Sequence, residues 1–178
     1  MNAQQRPNSA LIAAVCASLQ EAIDAATTVT PAQFAQRHPE VDADSIGAHL
    51  RHHIEHLELL FAGAASGTVN YDARCRDPEV ERDPAVAVAR CQAMIARLER
   101  LDTSDLAQPL RLVQQTDANS GTEVELQTTL GRELLFMHSH AVHHHAIIAI
   151  LLRAFGQRMN DQFGVMPSTT VWRQQGGN

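Results

Sequence analysis

Residues 132–155 read RELLFMHSHAVHHHAIIAILLRAF, a run of 24 residues that contains neither glycine nor proline. This run predicts one long helix. Its middle carries five histidines: His138, His140, His143, His144 and His145. At about 100° per residue, His140 and His144 fall one turn apart inside the apolar face. Because a buried imidazole without a partner costs desolvation energy, two at the same depth indicate a shared ligand such as a metal ion.

The other three histidines of this run occupy different positions on the predicted helix. His143 lies at the edge of the apolar face, whereas His138 and His145 point nearly the opposite way. Glu133, one turn before Met137, has two interpretations. It either orients a ligand histidine or is an exposed charge that pairs with a nearby arginine.

A second block of histidines lies in an earlier predicted helix, about residues 44–65. Its members are His49, His52, His53 and His56. Metal sites in helical bundles are built from inward side chains on facing helices. Catalytic zinc commonly has three protein ligands and one open position, so one member of this block is expected to join His140 and His144. On the helical wheel, His49, His53 and His56 lie nearer the apolar stripe than His52 does.

Periodicity and turn signals predict an all-α four-helix bundle with a small β-hairpin inserted before the last long helix. The expected helices are 9–27, 44–65, 83–101 and 132–155, the hairpin strands are 109–116 and 122–129, and a polar loop covers 66–84. The whole chain, residues 1–178, is expected to form one domain, with a core of about 8–156. The tail, 157–178, is expected to wrap the surface, docked by Trp172.

Composition narrows the function. The net charge is −6, and the 14 Lys and Arg residues are not clustered into a basic stripe. Both observations argue against nucleic acid as a partner. Three cysteines without a CxxC pair fit a reducing compartment. Apolar runs fall short of the roughly 18 residues that span a bilayer, so no membrane insertion is expected. The first residues show only a short apolar stretch and no clear cleavage site, so no leader is expected either. We therefore expect a cytoplasmic protein.

Two motifs resemble those of the DinB-like (damage-inducible protein) superfamily of metal-dependent enzymes. They are SIGAHLRHHIE at 45–55 and HAVHH at 140–144. Members of that superfamily have a four-helix bundle that holds a metal with one histidine on the second helix and a His-x-x-x-His pair on the last. The resemblance implies His52, His140 and His144 as ligands, with Glu55 at the usual acidic position.

The chain departs from the superfamily at His49 and His53, where aliphatic residues are usual. His49 and then His56 therefore stay open as alternative third ligands. His53 and His143 are candidates for outer hydrogen-bond partners of the ligands or for a base. The same holds for His49 and His56 where they are not ligands.

The resemblance also implies a function. It suggests a thiol-dependent S-transferase that uses a divalent metal (zinc, nickel or iron), a low-molecular-weight thiol and a small-molecule substrate, in a homodimer. A metal-dependent hydrolase and a non-catalytic, stress-related metal-binding protein are the alternatives. No catalytic residue is assigned. Tyr71, Arg74 and Arg76 on the polar loop are candidates for binding an anionic ligand.

Overall fold

The computed structural model describes the backbone of residues 5–177 and the side chains of residues 8–177. The elements, in chain order, are α1 Gln5–Thr28, α2 Pro31–Ala35, α3 Ile46–Ser66, β1 Thr68–Asn70, α4 Pro78–Arg82, α5 Pro84–Leu98, β2 Pro109–Gln115, β3 Glu123–Thr129, α6 Leu130–Ala154 and α7 Pro167–Gln174. The chain is thus mostly helical, as predicted, with one small sheet.

The four long helices surround the core. Helices α1 and α3 each pack against both α5 and α6. Small residues in α1, such as Ala22 and Ala25, are fully buried and allow its neighbours to approach closely. Larger buried side chains, including Leu50, Ile54 and Leu134, fill the space between α3 and its neighbours. This packing places the two histidine-bearing helices, α3 and α6, side by side.

Side-chain caps fix where these two helices begin. The Ser45 side chain accepts a hydrogen bond from the backbone N–H of Ala48, so α3 begins at Ile46. The Thr129 hydroxyl accepts in the same way from Arg132 at the start of α6. The caps fix where the two helices begin, and their buried apolar residues decide which histidines lie near the other helix.

The predicted hairpin is confirmed, but it belongs to a three-stranded sheet. Strand β1 pairs in parallel with β2, with Thr68 opposite Arg111, and β2 pairs antiparallel with β3. The segment 66–84, predicted as a loop, therefore contains β1 and α4, and that prediction is wrong in part. Val69 and Val80 are fully buried. They anchor elements of three and five residues, too short for a periodic pattern to show.

Several boundaries and one tail contact differ from expectation. Helix α1 begins at Gln5, earlier than predicted, and α5 ends at Leu98 rather than 101. The tail includes α7, and its buried aromatic residue is Phe163, while Trp172 is 52% exposed. Trp172 therefore does not dock the tail. Residues 1–4 and 178 lie outside the described range, so a single domain over the whole chain stays a prediction.

Two helical segments, Asn8–Thr28 and Leu130–Ala154, are long and apolar enough to cross a bilayer. Counting apolar runs in the sequence does not detect these segments. In each, 39% of the most apolar window is buried inside the fold. The core helix of a folded domain passes the same test, so this finding is weak evidence for a membrane span. A cytoplasmic location stays a prediction.

Candidate metal centre

Three imidazoles meet where α3 lies against α6. His52 comes from α3, and His140 and His144 come from successive turns of α6. The Nε2 atoms of His52 and His140 are 3.2 Å apart, and those of His140 and His144 are 2.9 Å apart. One ligand atom from each of the three lies within 4.8 Å of the others. We call these three residues the histidine group.

The donor set of the histidine group fits a divalent ion. Nitrogen ligands placed 2.0–2.1 Å from a tetrahedral ion lie about 3.3–3.4 Å from one another. The nitrogen atoms here are already close to that spacing, at 3.2 and 2.9 Å. Within residues 5–177, the buried Nδ1 of His140 has no hydrogen-bond partner. These side chains could therefore hold an ion with only small adjustments.

Burial keeps these imidazoles neutral. The pKa of His52 and that of His144 are lowered to about 2, chiefly by burial and in smaller part by neighbouring histidines. The pKa of His140 falls to about 4, again chiefly through burial. Because the neutral imidazole is the form that binds metal, the histidine group is ready to coordinate at neutral pH.

His49 lies behind His144 and does not join the histidine group. Its Nδ1 lies 2.9 Å from the Nδ1 of His144, on the side of that ring away from His140. One of these two nitrogen atoms donates a hydrogen and the other accepts it. The Nε2 of His49 is buried and has no partner among the described residues. His49 is therefore placed as an outer partner of His144.

His56 also lies beside the group without joining it. Its Nδ1 donates to the backbone carbonyl of His52 at 2.7 Å, which leaves its Nε2 as an acceptor. Its ring centroid lies 4.2 Å from that of His52 and 5.0 Å from that of His140. Tyr71 stacks on its other side at 5.3 Å. Burial lowers the pKa of His56, so this ring is also neutral at neutral pH.

The remaining histidines of α3 and α6 do not join the group. His143 is exposed, with its ring edge-on to that of His144 at 5.3 Å between centroids. His145 points away, as predicted, but that side is buried: its ring stacks on Phe163 at 4.7 Å, and its Nδ1 lies 3.3 Å from a carboxylate oxygen of Glu21. His53 is buried nearby, with its ring 6.0 Å from that of His145. No local sequence signal shows that α1 and the tail cover this side of α6.

Glu133 is buried, so the expectation that it is exposed is wrong, whereas its expected pairing with a nearby arginine is confirmed for Arg132. Its carboxylate accepts hydrogen bonds from the Tyr71 hydroxyl at 2.8 Å, from the Thr128 hydroxyl at 2.6 Å and from the Arg132 guanidinium at 2.8 Å. Glu133 therefore holds Tyr71, which in turn packs on His56. Through this tyrosine, Glu133 is linked to His56.

The segment between β1 and α4 brings one of its two arginines to the centre. Arg74 is partly buried and donates from its guanidinium to Nδ1 of His52. Arg76 is exposed and adopts a left-handed backbone with φ of 53°. Glu55, one turn after His52, accepts from the backbone N–H of Asp77 at 2.7 Å and fixes the end of this segment.

Comparisons with known proteins agree with this geometry. A profile of the DinB superfamily matches residues 14–148, most of the chain and all of the histidine group. The chain is 33% identical over 101 residues to FK506-binding protein 5 of Rhizopus delemar. That match covers 57% of this chain and only 26% of the relative. No solved structure matches significantly. The extent of the profile match shows that this chain belongs to the DinB superfamily.

Proposed function

We propose that this chain is a metal-dependent enzyme of the thiol-dependent S-transferase type, with His52, His140 and His144 as the ligands of a divalent ion. The observation that carries the proposal is the convergence of three neutral imidazoles from two helices, with neighbouring Nε2 atoms 2.9 and 3.2 Å apart. A bound divalent ion supplies Lewis acidity that favours the deprotonated form of a thiol at neutral pH. Zinc, nickel and iron all suit imidazole donors.

His56 is the residue that we expect to accept the thiol proton. Its Nδ1 is engaged with the His52 carbonyl at 2.7 Å, so its Nε2 carries a lone pair. Burial lowers its pKa, which keeps that lone pair available at neutral pH. The stacked ring of Tyr71 limits how far the imidazole can turn. The proton would thus move from the thiol to Nε2 of His56.

Arg74 and Arg76 supply positive charge beside the proposed thiol site. Arg74 is partly buried against His52, and Arg76 is exposed two residues later. We expect them to attract an anionic end of the thiol or of the electrophile. The hydroxyl of Tyr71 is already bonded to Glu133, so we assign Tyr71 to positioning His56 rather than to binding an anion.

Metal content tests the ligand assignment. Untagged wild type should carry about one equivalent of a divalent metal by mass spectrometry, because a single group of three ligands holds it. His52→Ala, His140→Ala and His144→Ala should each lose it, while His143→Ala, at an exposed position on the same helix, should keep it. Retention in His52→Ala alone would move the third ligand to His49 or His56. Absence of metal after reconstitution would overturn the proposal.

Turnover tests the reaction class. Metal-loaded protein should join glutathione-like or sugar-linked thiols to a small electrophile, and His56→Gln should lower the rate while metal content stays unchanged. Turnover of an ester or amide without added thiol would instead support the hydrolase, in which His56 takes a proton from water. If neither occurs, and azide leaves the spectrum of the cobalt protein unchanged, the coordination is closed and the chain is a non-catalytic metal-binding protein.

We further propose that α1, α3, α5 and α6, which pack on one another, form the superfamily's four-helix bundle.

We also propose that the chain is a homodimer. Leu135 and Ile150 are exposed on one side of α6, and such a pair is suited to contact a second copy. Sedimentation equilibrium should show a dimer in wild type and a monomer in the variant Leu135→Glu. A monomeric wild type would overturn the dimer proposal.

A further inference from the structure

The contact between Arg74 and His52 defines the hydrogen-bonding roles of both side chains. A guanidinium carries only donors, so Arg74 donates and Nδ1 of His52 accepts. A neutral imidazole has one N–H, and in this arrangement it must be on Nε2. That atom faces Nε2 of His140 at 3.2 Å and can donate to it. The contact with Arg74 thus fixes the tautomer of metal-free His52, with the ring hydrogen on Nε2.

The same geometry conflicts with a metal ion on His52. A ligand nitrogen offers its lone pair, so Nε2 cannot keep its hydrogen when an ion is bound there. The hydrogen of the neutral ring would then sit on Nδ1, where the N–H of Arg74 already points. Two donors facing each other repel. One of the two interactions, with the arginine or with the ion, must therefore give way.

An alternative acceptor for Arg74 is available nearby. The Oε2 atom of Glu55 is buried and has no hydrogen-bond partner among the described residues. Burial and then the charge of Arg76 lower the pKa of Arg74, and the negative charge of Glu55 opposes this shift, so Glu55 acts on the guanidinium. The segment that carries Arg74 is held at both ends, by Tyr71 on Glu133 and by Asp77 on Glu55. The side chain can therefore turn while the backbone stays in place.

We infer that Arg74 competes with the metal ion for His52 and turns from Nδ1 of His52 to the carboxylate of Glu55 when the ion binds. The inference rests on the proposed metal-binding role of the histidine group. It adds that the apparent metal affinity is set in part by a residue outside that group. An outer hydrogen-bond partner typically changes metal affinity by 10- to 100-fold.

Metal affinity of two matched variants tests the competition. Arg74→Met should bind zinc roughly 10-fold more tightly than wild type in a chelator competition. Arg153→Met removes the same charge from an exposed position in the last turn of α6 and should behave like wild type. Glu55→Gln should weaken zinc binding, and the weakening should disappear in the Arg74→Met background. Equal or weaker binding by a folded Arg74→Met, checked by circular dichroism, would overturn the inference.

A measurement of the His52 tautomer distinguishes two ways in which Arg74 could weaken zinc binding: the hydrogen bond to His52, or repulsion between the arginine charge and the ion. Nitrogen-15 shifts of the histidine rings should show hydrogen on Nε2 of His52 in metal-free wild type and on Nδ1 after zinc is added. Metal-free Arg74→Met should lose the strong preference for Nε2. Hydrogen on Nδ1 in metal-free wild type would overturn the inference even if Arg74→Met bound zinc more tightly. Absence of zinc binding by wild type would instead overturn the proposed function.

Discussion

His49 and His144 meet through their Nδ1 atoms at 2.9 Å, although neither this contact nor its direction follows from the helical wheel. The Nε2 of His144 faces Nε2 of His140, so the two nitrogen atoms of the His144 ring serve different partners. When Nδ1 of His144 carries the hydrogen and donates to His49, its Nε2 is left with a lone pair. In that tautomer, the contact with His49 would leave His144 in the form that a metal ligand requires.

Replacing His49 should weaken metal binding without removing a ligand. We expect His49→Ala to lower zinc affinity by roughly 10- to 100-fold, the usual cost of losing an outer partner. Chelator competition measures the change, and His143→Ala is the matched control because His143 is exposed. Complete loss of metal from His49→Ala would indicate that His49 is itself a ligand. An unchanged affinity would show that the contact does not set the tautomer.

The metal-free protein should lose stability in mild acid. Unfolded histidine takes up a proton near pH 6.5. In the folded chain, burial lowers the pKa of His52 and His144 to about 2 and that of His140 to about 4. Below pH 6.5 the unfolded state therefore binds more protons than the folded state, and stability falls as pH falls. Well above pH 6.5 both states are neutral and this effect vanishes.

Thermal unfolding in chelator at pH 7.5 and at pH 5 tests this expectation. Each kcal/mol of lost stability lowers Tm by about 2–4 °C for a chain of this size. The decrease in Tm should be smaller in His140→Gln, which removes one of the buried imidazoles. A Tm that stays constant or rises towards pH 5 would contradict the expected protonation states.

Tyr71→Phe should destabilise the protein through Glu133. The substitution removes a donor at 2.8 Å from a fully buried carboxylate and leaves that charge less well satisfied. Losing a partner of a buried polar group costs about 1–3 kcal/mol, which urea unfolding can measure. The same substitution in a Glu133→Gln background should cost less, because no charge remains to be satisfied. Equal costs in both backgrounds would show that the hydrogen bond contributes little.

Gly164→Ala should destabilise the protein more than Gly156→Ala does. Both glycines have left-handed backbones, with φ of 73° and 76°, so either alanine pays about 1–2 kcal/mol of backbone strain. A Cβ on Gly164 would also lie 2.5 Å from the backbone nitrogen of Ala146, whereas one on Gly156 would meet nothing within 4 Å. Urea unfolding should therefore give a lower free energy of unfolding for Gly164→Ala than for Gly156→Ala. Equal values would mean that the tail moves away from α6 without losing stability.

The long elements follow from periodicity, and the short ones do not. An apolar stripe over several turns predicts α3 and α6, whereas β1 has only Val69 to mark it. The stripe of α6 also predicts that His140 and His144 share a side. On α3 the helical wheel favours histidines other than His52, because the wheel shows only how near a residue lies to the apolar stripe. The histidine group instead lies at the partly exposed edge where two helices meet, and the family motif indicated His52.

The consecutive residues His143, His144 and His145 occupy three separate environments: solvent, the histidine group and the buried contact with Phe163. An immobilised-nickel resin captures a polyhistidine tag because neighbouring imidazoles reach the same ion together. This run offers the resin one imidazole, since the other two are buried in different directions. It therefore cannot serve as a built-in purification handle. Retention of the untagged chain on such a column would report on a different surface.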